Sequence, residues 1–182
     1  GGGVFKSNDS ADSWSPVNTN LTNLNVQALA TNPVDQNTLY TGTNGAGVFK
    51  SVNSGDEWDD VNSGLTSSSF QVLIIDPKIT TTFYTGTDGK GIFKTVDGGD
   101  SFTEVNNGLT NLNVKALAVD PDITTTLYAG TEGGGVFKSH NAGEAYLYPV
   151  IVNLSYEFAK VYVCVFIRKV ASSVGFCFIM DN

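Results

Sequence analysis

The chain is poor in the residues that carry most catalytic and metal chemistry. Its 182 residues include one histidine, His140, one arginine, Arg168, and two cysteines, Cys164 and Cys177. A single histidine leaves a histidine-based metal site or a Ser-His-Asp triad almost nothing to build on. A single arginine excludes a clamp of several guanidinium forks around a carboxylate. Both cysteines lie near the C-terminus, so no disulfide framework holds the rest of the chain, and the tail could carry either one disulfide or two free thiols. Basic residues are scarce overall, with 10 Lys and Arg against 18 Asp and Glu and a net charge of −8. No basic stripe exists to neutralise phosphates, which excludes nucleic acid as a partner. The acidic surface favours solubility and selects no partner. No apolar run approaches the ~20 residues of a membrane span.

What the chain has instead is repetition. Gly1-Gly2-Gly3-Val4-Phe5-Lys6-Ser7 returns in close variants at Gly45, Gly89 and Gly133, each 44 residues after the last. A fixed period of this length marks a repeat architecture. With 41% hydrophobic residues and 20 glycines the composition is that of a globular chain rich in turns, not a disordered one. Within the unit 25–62, short β runs are expected at 26–30, 38–43, 47–51 and 57–61, and helical periodicity is missing. Asn32-Pro33 ends the first run, because proline stops strand pairing. The register persists from copy to copy: Leu29, Leu73 and Leu117 correspond, as do Tyr40, Tyr84 and Tyr128, and Phe49, Phe93 and Phe137. These positions alternate with polar ones and read as the faces by which one small sheet packs on the next. The expected fold is all-β: tandem four-stranded antiparallel blades of a β-propeller, about three full repeats plus a shared or partial blade.

Between the third and fourth runs the pattern [ST]-x-[DN]-x-G-x-x-[WFY] recurs. It is carried by Ser7, Asp9 and Trp14; by Ser51, Asn53, Gly55 and Trp58; by Thr95, Asp97, Gly99 and Phe102; and by Ser139, Asn141, Gly143 and Tyr146. Only Ala11 departs from it, at the glycine position. The chemistry is that of a hairpin turn: a carboxylate or amide is expected to cap amides two residues on, a hydroxyl adds a local bond, and glycine takes positive φ. The aromatic is expected to fold under the turn and seal the blade edge. The pattern resembles the Asp-box, or BNR, repeat, and the flanking elements are similar to those of sortilin-type and xyloglucanase-type propellers. The resemblance covers residues 1–146. It implies that the boxes are structural and lie away from the ligand face, that ligands are glycans or proteins, and that the protein works outside the cytoplasm.

Asp-boxes also occur in sialidases, but the lone Arg168 cannot supply their carboxylate clamp. A glycosidase with two carboxylates needs only an acid and a base ~5–9.5 Å apart. Asp76 and Asp120 are the candidates, at the ends of the first runs of their repeats; turn formation before Pro77 and Pro121 competes as an explanation, because both residues follow the repeat. Asp59, Asp60 and Glu104 read as solvated edge charges. The stretches 42–47 and 86–91 join two strands and open no helix, so they are not phosphate loops. Asp97-Gly98-Gly99-Asp100 lacks the ligand series of a calcium loop. No catalytic residue, metal or cofactor is assigned.

The period fails after Tyr146, so residues 147–182 are expected to be a divergent β-rich tail. Either the tail supplies two strands that close a ring with the N-terminal pair, or it is foreign to the repeat and the arc stays open; composition favours the open arc. An open arc exposes apolar faces and strand edges and invites oligomerisation. The chain opens inside a repeat, without an initiating Met, and is expected to be part of a longer or processed protein. The functional expectation is a non-catalytic binding or scaffold segment presenting loops to a glycan or protein, with a fragment of a two-carboxylate glycoside hydrolase as the alternative.

Overall fold

The computed structural model describes residues 2–150, 161–169 and 172–180, with side chains through residue 146. Expectations resting on the side chains of Cys164, Arg168 and Cys177 lie outside the described residues. Every named element is a strand. An N-terminal hairpin pairs β1 (Phe5–Lys6) with β2 (Ser15–Pro16). Three four-stranded antiparallel sheets follow. The first contains β3 (Val26–Thr31), β4 (Leu39–Thr43), β5 (Val48–Ser51) and β6 (Asp59–Asp60). The second contains β7 (Phe70–Ile75), β8 (Phe83–Thr87), β9 (Ile92–Thr95) and β10 (Thr103–Glu104). The third contains β11 (Val114–Val119), β12 (Leu127–Thr131), β13 (Gly135–Ser139) and β14 (Tyr146–Val150). A last hairpin pairs β15 (Val161–Lys169) with β16 (Ser172–Met180), with Cys164 opposite Cys177 in its register. Among the described residues, β1–β2 and β15–β16 form separate two-stranded sheets.

Each sheet is a propeller blade in chain order, and blades pack face to face because alternate residues of each strand point to opposite neighbours. Between the first and second blades, Tyr40 and Val48 meet Phe70, Leu73, Phe83, Phe93 and Phe102 in one apolar cluster. Between the second and third, Tyr84 and Ile92 meet Val114, Leu117, Leu127 and Phe137. Phe49, Phe93 and Phe137 are buried to 2%, 0% and 0% exposure, and burying such a side chain contributes ~1.5–3 kcal/mol. The blades approach closely at their inner edges. A Cβ on Gly86 of β8 would lie 2.6 Å from Val114 Cγ1 of the next blade and 2.7 Å from Val72 Cγ1 of its own. Only glycine fits there.

Three expectations need correction. The fourth strand of each of the first two blades is two residues long, not five, since the amide of the box aromatic before it leaves the ladder and donates to the preceding segment, Trp58 to the Thr19 carbonyl and Phe102 to that of Ser63. Leu29 was expected in the core with Leu73 and Leu117; those two are 8% and 9% exposed, while Leu29 is 49% exposed. Leu29 faces the β1–β2 hairpin, which offers two short strands where the other blades meet a complete sheet. Trp14 does not seal an edge either: it is 60% exposed, against 1% for Trp58, 4% for Phe102 and 5% for Tyr146. Each buried aromatic lies under a preceding blade. Trp14 has no such cover among the described residues.

Candidate functional site

The four box turns share one hydrogen-bond scheme. In the third, Thr95 Oγ1 donates to Asp97 Oδ1 at 2.6 Å and accepts from the Gly99 amide at 3.1 Å, while Asp97 Oδ1 accepts from the Ser101 amide at 3.0 Å. Asp9, Asn53 and Asn141 accept the corresponding amides of Ser13, Glu57 and Ala145 at 3.0, 2.9 and 2.9 Å. The cap thus reaches four residues on, not two. The hydroxyl of Ser or Thr takes the nearer amide, at a long 3.3–3.4 Å. Gly55, Gly99 and Gly143 take φ of 91°, 99° and 89°, and Ala11 adopts 75° in their place. Hydrogen bonds from the Ser13 hydroxyl and amide and from the Ser7 hydroxyl hold Asp9 down to about 2. Asp97 is lowered too, first by the hydroxyls of Ser101 and Thr95.

Asp76 and Asp120 occupy a second repeated turn. Asp76 Oδ1 accepts from the amides of Lys78 and Ile79 at 2.8 and 3.0 Å, and Asp120 Oδ1 from those of Asp122 and Ile123 at 2.9 and 3.0 Å. Asn32 does the same for Val34 and Asp35. The two amide bonds lower the Asp120 carboxyl, that of Ile123 most. These turns lie at the same end of the blades as the boxes, since in an antiparallel sheet the first and third connections share an end. Backbone bonds tie them together: Ser54 to Asn37, Gly98 to Thr81 and Ala142 to Thr125, at 2.7–2.8 Å. One end of the molecule is therefore a belt of capped turns. The carboxylates of Asp9, Asp76, Asp97 and Asp120 are occupied in capping.

The opposite end is built from the glycine hairpins and the connections between blades. Backbone bonds pin these loops to one another: Asn44 N to Asn25 O at 2.9 Å, Gly45 N to Ser68 O at 2.8 Å, Gly91 N to Leu112 O at 2.9 Å and Glu132 N to Asn113 O at 2.9 Å. Asn23 and Asn111 side chains donate to the Asn44 and Glu132 carbonyls at 3.1 and 2.6 Å. A strand irregularity recurs at the start of each inner strand, between Val26 and Ala28, Phe70 and Val72, and Val114 and Ala116. Such bulges re-aim the side chains beside them. Gln27, Gln71 and Lys115 sit at these bulges. Gln27 donates to Asn25 at 2.7 Å, Gln71 to Ser69 Oγ at 3.4 Å, and Lys115 pairs with Glu132 at 3.2 Å. The outcome is a pre-shaped surface of amides and hydroxyls with few charges.

Sequence reasoning missed this surface. Its signal is a breach of the repeat: the turn position occupied by Asn44 becomes Asp88 and then Glu132, and Gln27 and Gln71 give way to Lys115. It also missed Asn18, Asn62 and Asn106, whose Oδ1 atoms accept the amides of Val4, Val48 and Ile92 at 2.7–2.8 Å and lock each third strand to its exit loop. Among the described residues, no group of three His, Cys, Asp or Glu could hold a metal ion. Among the described residues there is no helix long and apolar enough to cross a membrane.

No family model matches the chain, and no curated protein matches it significantly. Solved structures do. An ancestral GH74 enzyme is 25% identical with a TM-score of 0.70, covering 81% of this chain and 21% of its own. The GH74 xyloglucanase of Xanthomonas campestris is 17% identical with a TM-score of 0.68, covering 84% and 28%. The extracellular domain of a one-component system from B. thetaiotaomicron is 16% identical with a TM-score of 0.64, covering 99% and 24%. The fold is that of propeller blades. The chain spans about a quarter of the length of these relatives.

Proposed function

We propose that this chain is a binding segment of an Asp-box propeller outside the cytoplasm, and that it presents the loop end opposite the boxes to a neutral glycan. The observation that supports this reading most is the pinned surface of amides and hydroxyls around Gln27, Gln71 and Asn113. Sugar hydroxyls both donate and accept, and an amide matches them in both senses. Loops already tied by backbone bonds lose little freedom on binding. Leu24 and Leu112, 43% and 36% exposed, add apolar contact for the faces of sugar rings. The likeness to a xyloglucanase makes a xyloglucan-type β-glucan the first ligand to test. The box turns are scaffold in this account, and Asp76 and Asp120 are turn caps.

A second reading, a glycoside hydrolase fragment, draws on Asp88 and Glu132, which place carboxylates of adjacent blades at the same end. Calorimetric titration with a xyloglucan oligosaccharide separates the two. Binding without release of reducing sugar is expected, and Gln71→Ala should weaken it by about two- to tenfold, the loss of one hydrogen bond. Hydrolysis abolished by Asp88→Asn or Glu132→Gln would replace the scaffold with the enzyme.

A further inference from the structure

We propose that the outer rim of the first blade binds an amino sugar, in a groove between β6 and the connection that leads into β3. The groove has a volume of about 360 Å³, with Asn20 and Thr22 on one wall, Asp59 and Asp60 on the other, and Phe49 and Trp58 at its floor. That volume lies at the lower end of small-molecule sites. The floor fixes the walls: Trp58 Nε1 donates to the Val17 carbonyl at 2.8 Å, and the Trp58 amide to that of Thr19 at 3.0 Å. Walls tied in this way lose little freedom on binding.

The second blade shows the same place bridged. There Thr66 Oγ1 donates to Glu104 Oε1 at 2.8 Å. The corresponding pair in the first blade is Thr22 and Asp60, and the aspartate, one methylene shorter, leaves that bond unmade. Asn20 differs as well. It takes φ of 65° where Gly64 takes 84°, and a Cβ on Gly64 would collide with the Phe102 carbonyl. The first groove thus has an amide side chain where the second has none. Its carboxylates break the repeat too: Asp59-Asp60 stands where the other copies have Ser15-Pro16, Thr103-Glu104 and Leu147-Tyr148. Asn62, beside the groove, is committed to the chain, accepting from the Val48 amide at 2.8 Å and donating to the Ala46 carbonyl at 3.3 Å. Among the described residues, the side chains of Asn20, Thr22, Asp59 and Asp60 make no hydrogen bond or ion pair.

Carboxylates without a counter-charge, beside an amide and a hydroxyl, match a ligand that carries one cation and several hydroxyls. An ammonium brings three donors and a positive charge to Asp60 and its neighbour. Ring hydroxyls both donate and accept, as Asn20 and Thr22 do. A neutral sugar would desolvate the carboxylates without offsetting their charge. A lysine side chain of a protein would need apolar walls for its stem, and Phe49 and Trp58 are only 2% and 1% exposed. The groove is separate from the neutral-glycan surface around Gln27, Gln71 and Asn113 and functions independently of it.

Amide chemical-shift titration of the labelled chain with a glucosamine oligosaccharide, at pH ~5.5 where an amine is protonated, tests this. Shifts should centre on residues 19–22 and 58–62. The N-acetylated oligosaccharide, which carries no charge, should bind at least about tenfold more weakly. Asp60→Asn should weaken binding about three- to tenfold, the loss of one charge-assisted hydrogen bond at an open surface. Asp60→Glu keeps the charge but can reach Thr22 as Glu104 reaches Thr66, so it should weaken binding to a similar degree. Both variants lie at an exposed edge and should leave the circular dichroism spectrum unchanged. The charge-conserving variant distinguishes a shaped groove from attraction to an acidic surface. Undiminished binding by Asp60→Glu, equal binding of the acetylated sugar, shifts spread over the acidic turns of the box end, or no binding at all would each overturn the proposal.

Discussion

Tyr40 and Tyr84 occupy the same position in successive blades, and removing their hydroxyls should have opposite consequences. Both rings are buried, and both lie under a lysine at nearly the same distance, 5.7 and 5.8 Å. Burial raises both phenols to about 12, so neither titrates near neutral pH. They differ at Oη. Tyr40 donates to Gly98 O at 3.1 Å, whereas Tyr84 Oη is buried with no hydrogen-bond partner among the described residues. Tyr40→Phe deletes a hydrogen bond but leaves the Gly98 carbonyl with Lys50, so its cost should be the net value of one bond, about 0.5–1.5 kcal/mol. Tyr84→Phe removes a buried polar atom that gains nothing, and should be neutral or stabilise by up to about 1 kcal/mol. For a domain of this size about 1 kcal/mol moves Tm by ~2–4 °C. Paired thermal and urea unfolding of the two variants is the assay. Equal losses, or a larger loss for Tyr84→Phe, would refute the reasoning.

Gly86→Ala forces a Cβ against Val114 and Val72 and should cost about 1–3 kcal/mol in urea unfolding. Val114→Ala in the same chain should recover part of that loss, and simple additivity of the two changes would count against the close approach of the blades. Asp97 is held below the ordinary aspartate value of 3.8 by hydrogen bonds, so the stability it contributes is present above that pH and fades as pH falls through its lower folded value. Asp97→Asn keeps the acceptor that Asn53 and Asn141 already use in the same place and does not titrate. Its deficit relative to the parent, if any at pH ~7, should shrink at pH ~2.5 in denaturation midpoints. A deficit that grows on acidification would contradict the sign.

The blade architecture was legible because its signals are local and repeated. Tyr40, Phe49 and their counterparts recur every 44 residues, and proline and glycine mark the turns between the runs. The box chemistry was legible in kind, although the reach of the capping carboxylate depends on loop geometry that spacing does not encode. The exposure of Leu29 and Trp14 was not legible. Burial at those positions depends on the neighbouring blade, and residues identical in pattern differ only in what stands beside them. The loop end was hidden for a related reason: Gln27, Gln71, Asn113 and Lys115 are ordinary polar residues until antiparallel pairing gathers them at one end. The same pairing places Asp76 and Asp120 with the boxes.

The central claim is that the loop end, not the box end, meets the ligand. Amide chemical-shift mapping of the labelled chain with a xyloglucan oligosaccharide tests it most directly. The account predicts perturbations confined to residues 22–27, 67–71 and 111–115. Shifts centred on the turns of Asp9, Asn53, Asp97 and Asn141, or no shifts at saturating oligosaccharide, would contradict it.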